Sequence, residues 1–99
     1  MRRCLSETRR EERIYVTLPV TLRTGWEGAT VLNGNSVDYS ESGLRICTKV
    51  PFRTRQDVKV VVSNNPKLTR DYRVVWVREP VYGQSVYEMG LEIQRDRHV

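Results

Sequence analysis

The sequence predicts an all-β domain, either a small antiparallel barrel or a sandwich of six or seven short strands. Runs of alternating apolar and polar residues recur along the chain, and Gly, Pro, Asn and Ser residues separate them. No stretch has the spacing of an amphipathic helix of useful length. The 99 residues suffice for one modest core, so we expect a single folded domain.

The first 13 residues differ in composition from the rest of the chain. They contain five Arg and three Glu, and they offer almost nothing apolar to a core. A segment of this kind becomes ordered only through contacts with other groups. We therefore predict a flexible basic arm over residues 1–13 and a barrel domain over residues 14–99.

The first strand is predicted by strict alternation from Ile14 to Leu22. Pro19 lies on its polar side and removes one N–H from the ladder, which indicates an edge, a strand end or a bulge. Gly25 and Gly28 mark the turn that follows. The second strand has a weaker pattern, and we expect it to end near Val37.

Four further strands are predicted after a turn at residues 38–43. They cover Leu44–Val50, Val58–Val62, Leu68–Arg78 and Val86–Ile93. Within the third of these strands, Trp76 is expected to face the core.

Charge points to the class of partner. The net charge is +5, from 17 basic and 12 acidic residues, and 14 of the basic residues are Arg. A guanidinium is a flat, forked donor that suits carboxylates, phosphates and guanine edges. Either the Arg content reflects amino-acid usage in the source organism, or it serves a nucleotide, nucleic-acid or phosphate ligand.

Several other classes of protein have little support in the sequence. No apolar run approaches the roughly 20 residues of a membrane span, and no secretory signal follows Met1. Cys4 and Cys47 form neither a disulfide framework nor a metal site, so we expect a cytoplasmic protein without a cofactor. The only His is His98, near the end of the chain, so we do not expect an enzyme.

Two short motifs stand out. Arg9 and Arg13 form R-x-x-x-R just ahead of the first predicted strand, and Asp38, Ser40 and Gly43 form D-x-S-x-x-G between two strands. Taken alone, the first is an ordinary run of solvated charges. Taken alone, the second is an ordinary turn, in which Asp and Ser bond nearby backbone and Gly supplies a positive φ.

With both motifs in this order, the chain resembles the PilZ domain, a bacterial receptor module for cyclic di-GMP. That family is marked by R-x-x-x-R ahead of the first strand and by D/N-x-S-x-x-G in a later strand connection. The segments Val74–Val77 and Glu88–Ile93 also resemble the late strand pair of the family. The resemblance covers the chain from about Arg9 to Ile93.

The resemblance implies a six-stranded split barrel that binds cyclic di-GMP. Its ligand-binding residues would be Arg9, Arg13, Asp38, Ser40 and Gly43, with Arg10 available to a phosphate. Arg can donate two hydrogen bonds to guanine O6 and N7, and an ionised Asp can accept from guanine N1–H and the 2-amino group. Binding would order the arm and switch the interaction with a downstream protein. Only residues 94–99 follow the last strand, so we expect little or no C-terminal helix.

Two alternatives stay open. One is a ligand-free adaptor that binds only proteins. The other is a small nucleic-acid-binding barrel, in which Trp26, Tyr39, Tyr72 and Trp76 would stack on bases. We rank nucleic acid behind the dinucleotide. We expect a monomer or a weak homodimer, and the sequence is compatible with one or two ligands per chain.

Overall fold

The computed structural model of the chain describes residues 12–24 and 30–94. Seven β-strands form within these ranges, and no helix does: β1 (Ile14–Tyr15), β2 (Pro19–Thr24), β3 (Thr30–Tyr39), β4 (Gly43–Thr48), β5 (Asp57–Val62), β6 (Arg70–Arg78) and β7 (Tyr87–Ile93). Most of the predicted arm, with Arg9 and Arg10, lies outside the described residues. The turn around Gly25 and Gly28, with Trp26, and the segment that holds His98 also lie outside them.

The strands form one closed antiparallel barrel. The sheet order is β1-β3-β2-β5-β6-β7-β4, and an additional pairing of β3 with β4 joins the two ends. The six strands β2 to β7 thus close on themselves, and β1 is an extra strand on β3. The prediction of an all-β, six-stranded antiparallel barrel is confirmed.

The core is filled mainly by side chains from alternate positions of the strands, as expected for a sheet with one buried face, and Phe52 and Leu68 join it from the connections between strands. It comprises Val20, Leu22, Leu44, Ile46, Phe52, Val58, Val60, Val62, Leu68, Tyr72, Val74, Met89 and Leu91. The polar atom of Tyr72 is satisfied, because its hydroxyl donates to the carbonyl of Leu68 at 2.8 Å. Burial raises the pKa of Tyr72 to about 12, so the hydroxyl remains a donor at neutral pH.

The predicted strand from Ile14 to Leu22 is divided in the structure. β1 and β2 are separated by residues 16–18, where a side chain replaces part of the ladder. The buried hydroxyl of Ser36 in β3 accepts from the Leu18 N–H at 2.8 Å and donates to the Val16 carbonyl at 2.5 Å. Pro19 opens β2, as a residue without an N–H can.

A bulge in β3 changes which face its residues occupy. Ser36 lies opposite Ile46 of β4, but Asp38 lies opposite Arg45, so Val37 is the extra residue. Directly opposite residues share a face of the sheet. Ser36 therefore points to the core with Ile46, whereas Asp38 points to the outer face with Arg45. Strict alternation would have placed Asp38 on the inner face beside Ser36.

A second bulge, in β6, moves an aromatic residue to the other face of the sheet. Val74 lies opposite Leu91 of β7, but Trp76 lies opposite Gly90, so Val75 is the extra residue. Trp76 thereby moves to the outer face, and Val77 returns to the core side. The expectation that Trp76 faces the core is wrong, because a bulge reverses the alternation that supported it.

Replacing Ser36 by Ala tests the side-chain bridge between β1 and β2. The change leaves the Leu18 N–H and the Val16 carbonyl without their partner, so we expect a loss of about 1–3 kcal/mol in the free energy of unfolding. Urea denaturation followed by far-UV circular dichroism measures it. The control is Thr17→Ala, an exposed position in the same segment. Equal stability of the two variants would show that the hydroxyl does not bridge the strands.

Candidate ligand-binding site

The two bulges align five residues across the outer face of the barrel. Each is directly opposite the next in the neighbouring strand, from β1 through β3, β4 and β7 to β6. We call this set the outer-face row: Tyr15, Asp38, Arg45, Gly90 and Trp76. It contains an aromatic residue at each end and an ion pair at its centre, so the sheet itself holds the side chains in place.

The carboxylate of Asp38 joins two arginines. Nε and Nη2 of Arg13 donate to Oδ1 at 3.1 and 2.9 Å. Nη2 of Arg45 donates to Oδ2 at 2.5 Å. The side chain of Asp38 has no exposed surface, whereas that of Arg13 is 41% exposed and that of Arg45 is 25% exposed. The two guanidinium groups carry more charge than the carboxylate, so the cluster is net positive.

The electrostatics of this cluster favour the charged forms. Burial alone would raise the pKa of Asp38, but the hydrogen bonds and charges of Arg13 and Arg45 outweigh burial and lower it. The hydrogen bond to Asp38 raises the pKa of Arg45 above its ordinary value. At neutral pH the cluster is therefore one carboxylate held between two guanidinium ions.

Ser40 and Gly43 complete the connection between β3 and β4. The Ser40 hydroxyl accepts from Nη1 of Arg13 at 3.3 Å, and its backbone N–H donates to the Gly43 carbonyl at 2.9 Å. Gly43 does not have a positive φ. A glycine is needed here because the strands pack closely: a Cβ at this position would lie 2.6 Å from the Leu91 carbonyl oxygen in β7. Glycine lets β4 and β7 approach each other beside the cluster.

An open recess of about 480 Å³ lies against this cluster, within the size range of small-molecule sites. Its lining residues are Arg13, Ser40, Ser42, Gly43, Leu44, Arg45, Val75, Trp76, Gly90, Leu91 and Glu92. The Trp76 ring lies over Gly90, where any side chain would overlap it. The Arg78 guanidinium lies over the same ring, 5.3 Å from its centroid. The recess thus combines cations, a hydroxyl and an indole.

Four of the sequence-predicted site residues lie together in the structure. Arg13 and Asp38 are ion-paired, Ser40 bonds to Arg13, and Gly43 lines the same recess. Arg9 and Arg10 lie outside the described residues. The two motifs therefore meet in space although 24 residues separate Arg13 from Asp38 in the sequence.

Sequence reasoning did not assign three residues of the recess, Arg45, Gly90 and Trp76, to the dinucleotide site, although it named Trp76 for base stacking in the nucleic-acid alternative. Arg45 had a usable signal, because alternation with Leu44 and Ile46 places it on the outer face two residues after the motif glycine. Trp76 had none, since its position depends on the bulge at Val75. The need for a glycine at position 90 becomes clear only from the Trp76 ring that lies over it.

The described residues include one free cysteine and a recess lined by charged, polar and aromatic groups. Burial raises the pKa of the Cys47 thiol, which makes it a poor nucleophile at neutral pH. The described part of the chain contains no group of three potential metal ligands. No described helix is long and apolar enough to cross a membrane. The recess offers the guanidinium donors of Arg13 and Arg45, the Glu92 carboxylate and the indole of Trp76.

The structure is a small closed β-barrel with an arginine–carboxylate cluster beside a recess on its outer face. The chain belongs to the PilZ domain family, whose family model matches residues 7–98. This is a family of receptor and adaptor domains of the cyclic di-GMP-binding type.

The fold also resembles a solved structure, the inhibitor of motility MotI/DgrA of Bacillus subtilis. The TM-score is 0.62, the sequence identity is 13%, and the match covers 87% of this chain. The chain spans 42% of the length of that structure, so the likeness concerns the barrel fold. No curated protein matches the sequence.

The lowered pKa of Asp38 predicts a pH-dependent contribution to stability. Above about pH 3.9, where an unfolded carboxyl is ionised, the wild type should exceed Asp38→Asn by about 1–3 kcal/mol in the free energy of unfolding. The difference should shrink as the pH falls through the lowered pKa, because protonation then removes the same interaction. Urea titrations between pH 7 and pH 2 measure it.

The matched control is Asp57→Asn. Asp57 pairs with Arg73 at 3.0 Å, but its side chain is 60% exposed, so its removal should change stability by no more than about 1 kcal/mol. A constant difference between wild type and Asp38→Asn across the whole pH range would contradict the assignment of a lowered pKa to Asp38.

Proposed function

We propose that the protein is a receptor for cyclic di-GMP and that Arg9, Arg13, Asp38, Ser40 and Gly43 bind the ligand. The observation that carries this proposal is the contact of Arg13 with both Asp38 and Ser40. It joins the R-x-x-x-R and D-x-S-x-x-G motifs at one recess of a PilZ barrel. A purely structural ion pair would not need an open recess beside it.

The groups in the recess match the chemistry of the dinucleotide. Cyclic di-GMP carries two guanines and two phosphodiester charges, and the net positive cluster suits the phosphates. The Asp38 carboxylate would accept from the guanine N1–H and 2-amino groups once Arg13, which occupies its Oδ1 atom, turns to the ligand. The indole of Trp76 supplies a flat apolar wall, and aromatic rings stack on bases of any sequence.

Ligand-coupled ordering is the proposed mechanism. Arg13 is the most exposed member of the cluster, and it is the last residue of the arm, four positions after Arg9. Ligand bound at the recess would draw Arg9, with Arg10 at a phosphate, onto the barrel beside Asp38. The arm would then cover part of the outer face, and a downstream protein would recognise the changed surface.

Isothermal titration calorimetry with cyclic di-GMP tests the receptor proposal. We expect saturable binding with a micromolar or lower Kd. The titration also determines whether one or two ligands bind per chain. Arg13→Ala should weaken binding by about 10- to 100-fold, since it removes charge-assisted hydrogen bonds. Arg70→Ala is the control: Arg70 is exposed at the far end of β6, about 20 Å from Trp76 along the strand.

Absence of binding by the wild type would overturn the proposal and leave the ligand-free adaptor as the leading function. Binding of single-stranded DNA with a steep salt dependence, but not of the dinucleotide, would favour the nucleic-acid-binding barrel.

Hydrogen–deuterium exchange tests the ordering of the arm. Saturating cyclic di-GMP should slow amide exchange over residues 2–13 by at least about tenfold, because newly formed contacts protect the backbone. Exchange in the core strand β5 serves as the internal reference, since it should stay unchanged. Equal exchange over residues 2–13 with and without bound ligand would rule out ligand-coupled ordering while leaving the binding itself intact.

A further inference from the structure

The strand β1 has a neighbouring strand on one side only. The sheet order places it beyond β3, and within the described ranges it pairs with no other strand. We call the side of the segment 14–17 that faces away from β3 the free edge. A strand edge of this kind presents unpaired backbone N–H and C=O groups, and another chain can add a strand to it.

Backbone groups along β1 and its continuation alternate between β3 and the free edge. The Val16 N–H donates to the Val37 carbonyl of β3 at 3.1 Å, and the Leu18 carbonyl accepts from β3 at 2.8 Å. Successive residues of an extended chain direct their backbone groups to opposite sides, so those of Tyr15 and Thr17 point to the free edge. Among the described residues they have no hydrogen-bond partner.

The core-facing side of β1 is left partly uncovered at the free edge. Ile14 lies opposite Tyr39, which packs against the core and is itself opposite the buried Leu44. Ile14 therefore faces the inner side of the sheet, yet it is 48% exposed, because no described strand flanks it. Val16 alternates to the same side and is half-buried. A strand added at the free edge would cover both residues with its own alternate side chains.

The outer side of the free edge is electropositive. Tyr15 ends the outer-face row opposite Asp38 and is 71% exposed. Arg13, two residues earlier, has a partly exposed guanidinium that belongs to the net positive cluster with Arg45. The outer side chains of an added strand would lie beside this cluster, where a carboxylate would make favourable charge-assisted contacts.

We propose that the free edge of β1 is a strand-addition site for a partner protein, which binds it with an extended segment of alternating apolar and acidic residues. Backbone hydrogen bonds to Tyr15 and Thr17 hold the segment. Its apolar side chains cover Ile14 and Val16, and its carboxylates lie near Arg13. The inference needs no dinucleotide, because a receptor and a ligand-free adaptor both require a surface for their partner.

Synthetic hexapeptides test the site by fluorescence anisotropy in the absence of cyclic di-GMP. The probe alternates Glu and Val. One matched peptide is N-methylated at every residue, and the other has Lys in place of Glu. The wild type should bind the Glu–Val peptide saturably. Both matched peptides should bind at least about tenfold more weakly, because the first lacks N–H donors for the free edge and the second carries the wrong charge.

Tyr15→Pro and Tyr15→Val are the matched protein variants. Proline removes the N–H that points to the free edge and leaves the hydrogen bonds to β3 in place, whereas valine removes only the aromatic ring. Tyr15→Pro should bind the Glu–Val peptide at least about fivefold more weakly than Tyr15→Val. If Tyr15→Pro does not fold, as judged by its thermal transition, Thr17→Pro and Thr17→Val replace the pair.

Several results would overturn the inference. Equal binding of the N-methylated peptide, or equal binding by the two variants, would show that no strand is added at β1. Equal binding of the Lys–Val peptide would exclude the acidic partner, and absence of binding by the wild type at millimolar peptide would exclude the site. Sedimentation velocity tests the other occupant: a wild-type dimer that Tyr15→Pro dissociates and Tyr15→Val preserves would assign the edge to a second copy of the chain instead.

Discussion

The bulge at Val37 is the constraint on which the site depends. Without the extra residue, the alternation of β3 would direct the Asp38 carboxylate into the apolar core beside Ser36 and Ile46. An ionised group in such a place is strongly unfavourable. With it, Asp38 emerges opposite Arg45, and the two become cross-strand neighbours. The fold therefore creates the ion pair by a local irregularity of a strand. On the other side of β3, the hydroxyl of Ser36 bonds the Leu18 N–H and the Val16 carbonyl at the break between β1 and β2.

The two partners of the Asp38 carboxylate differ in their exposure and in the strands that hold them. Arg45 belongs to a central strand of the barrel, and its backbone is held by β3 and β7 on its two sides. Arg13 precedes β1, which has only two residues, and its side chain is the more exposed of the two. This asymmetry suits a receptor, because a rigid half can recognise the ligand while a loosely attached half responds to it.

Both bulges lie beside the recess, and there is a physical reason for their location. A closed sheet with one buried face leaves the outer positions to solvent, and a ligand site there must gather side chains that alternation would disperse. The bulge at Val37 supplies an acidic group, and the bulge at Val75 supplies an indole, both in the row that contains Arg45 and Gly90. Departures from the regular pattern of a strand are thus concentrated where binding is proposed, as is common at functional sites.

The sequence by itself determined the fold class, the approximate positions of the strands, and a motif pair containing Arg13, Asp38, Ser40 and Gly43 as the candidate site. The fold class and the strand positions follow from local properties, because alternation and turn residues are set by neighbours along the chain. The candidate site follows from the resemblance of the two motifs to those of the PilZ family. Only the tertiary structure decided three features. β1 and β2 are separate strands, with the Ser36 hydroxyl of β3 bonded to the segment between them, and Asp38 and Trp76 lie on the outer face of the sheet. A bulge can be recognised only from the register between two paired strands. The two bulges here are defined by the pairing of β3 with β4 and of β6 with β7. The roles of Arg45 and Gly90 depend on that register, since their partners lie on other strands.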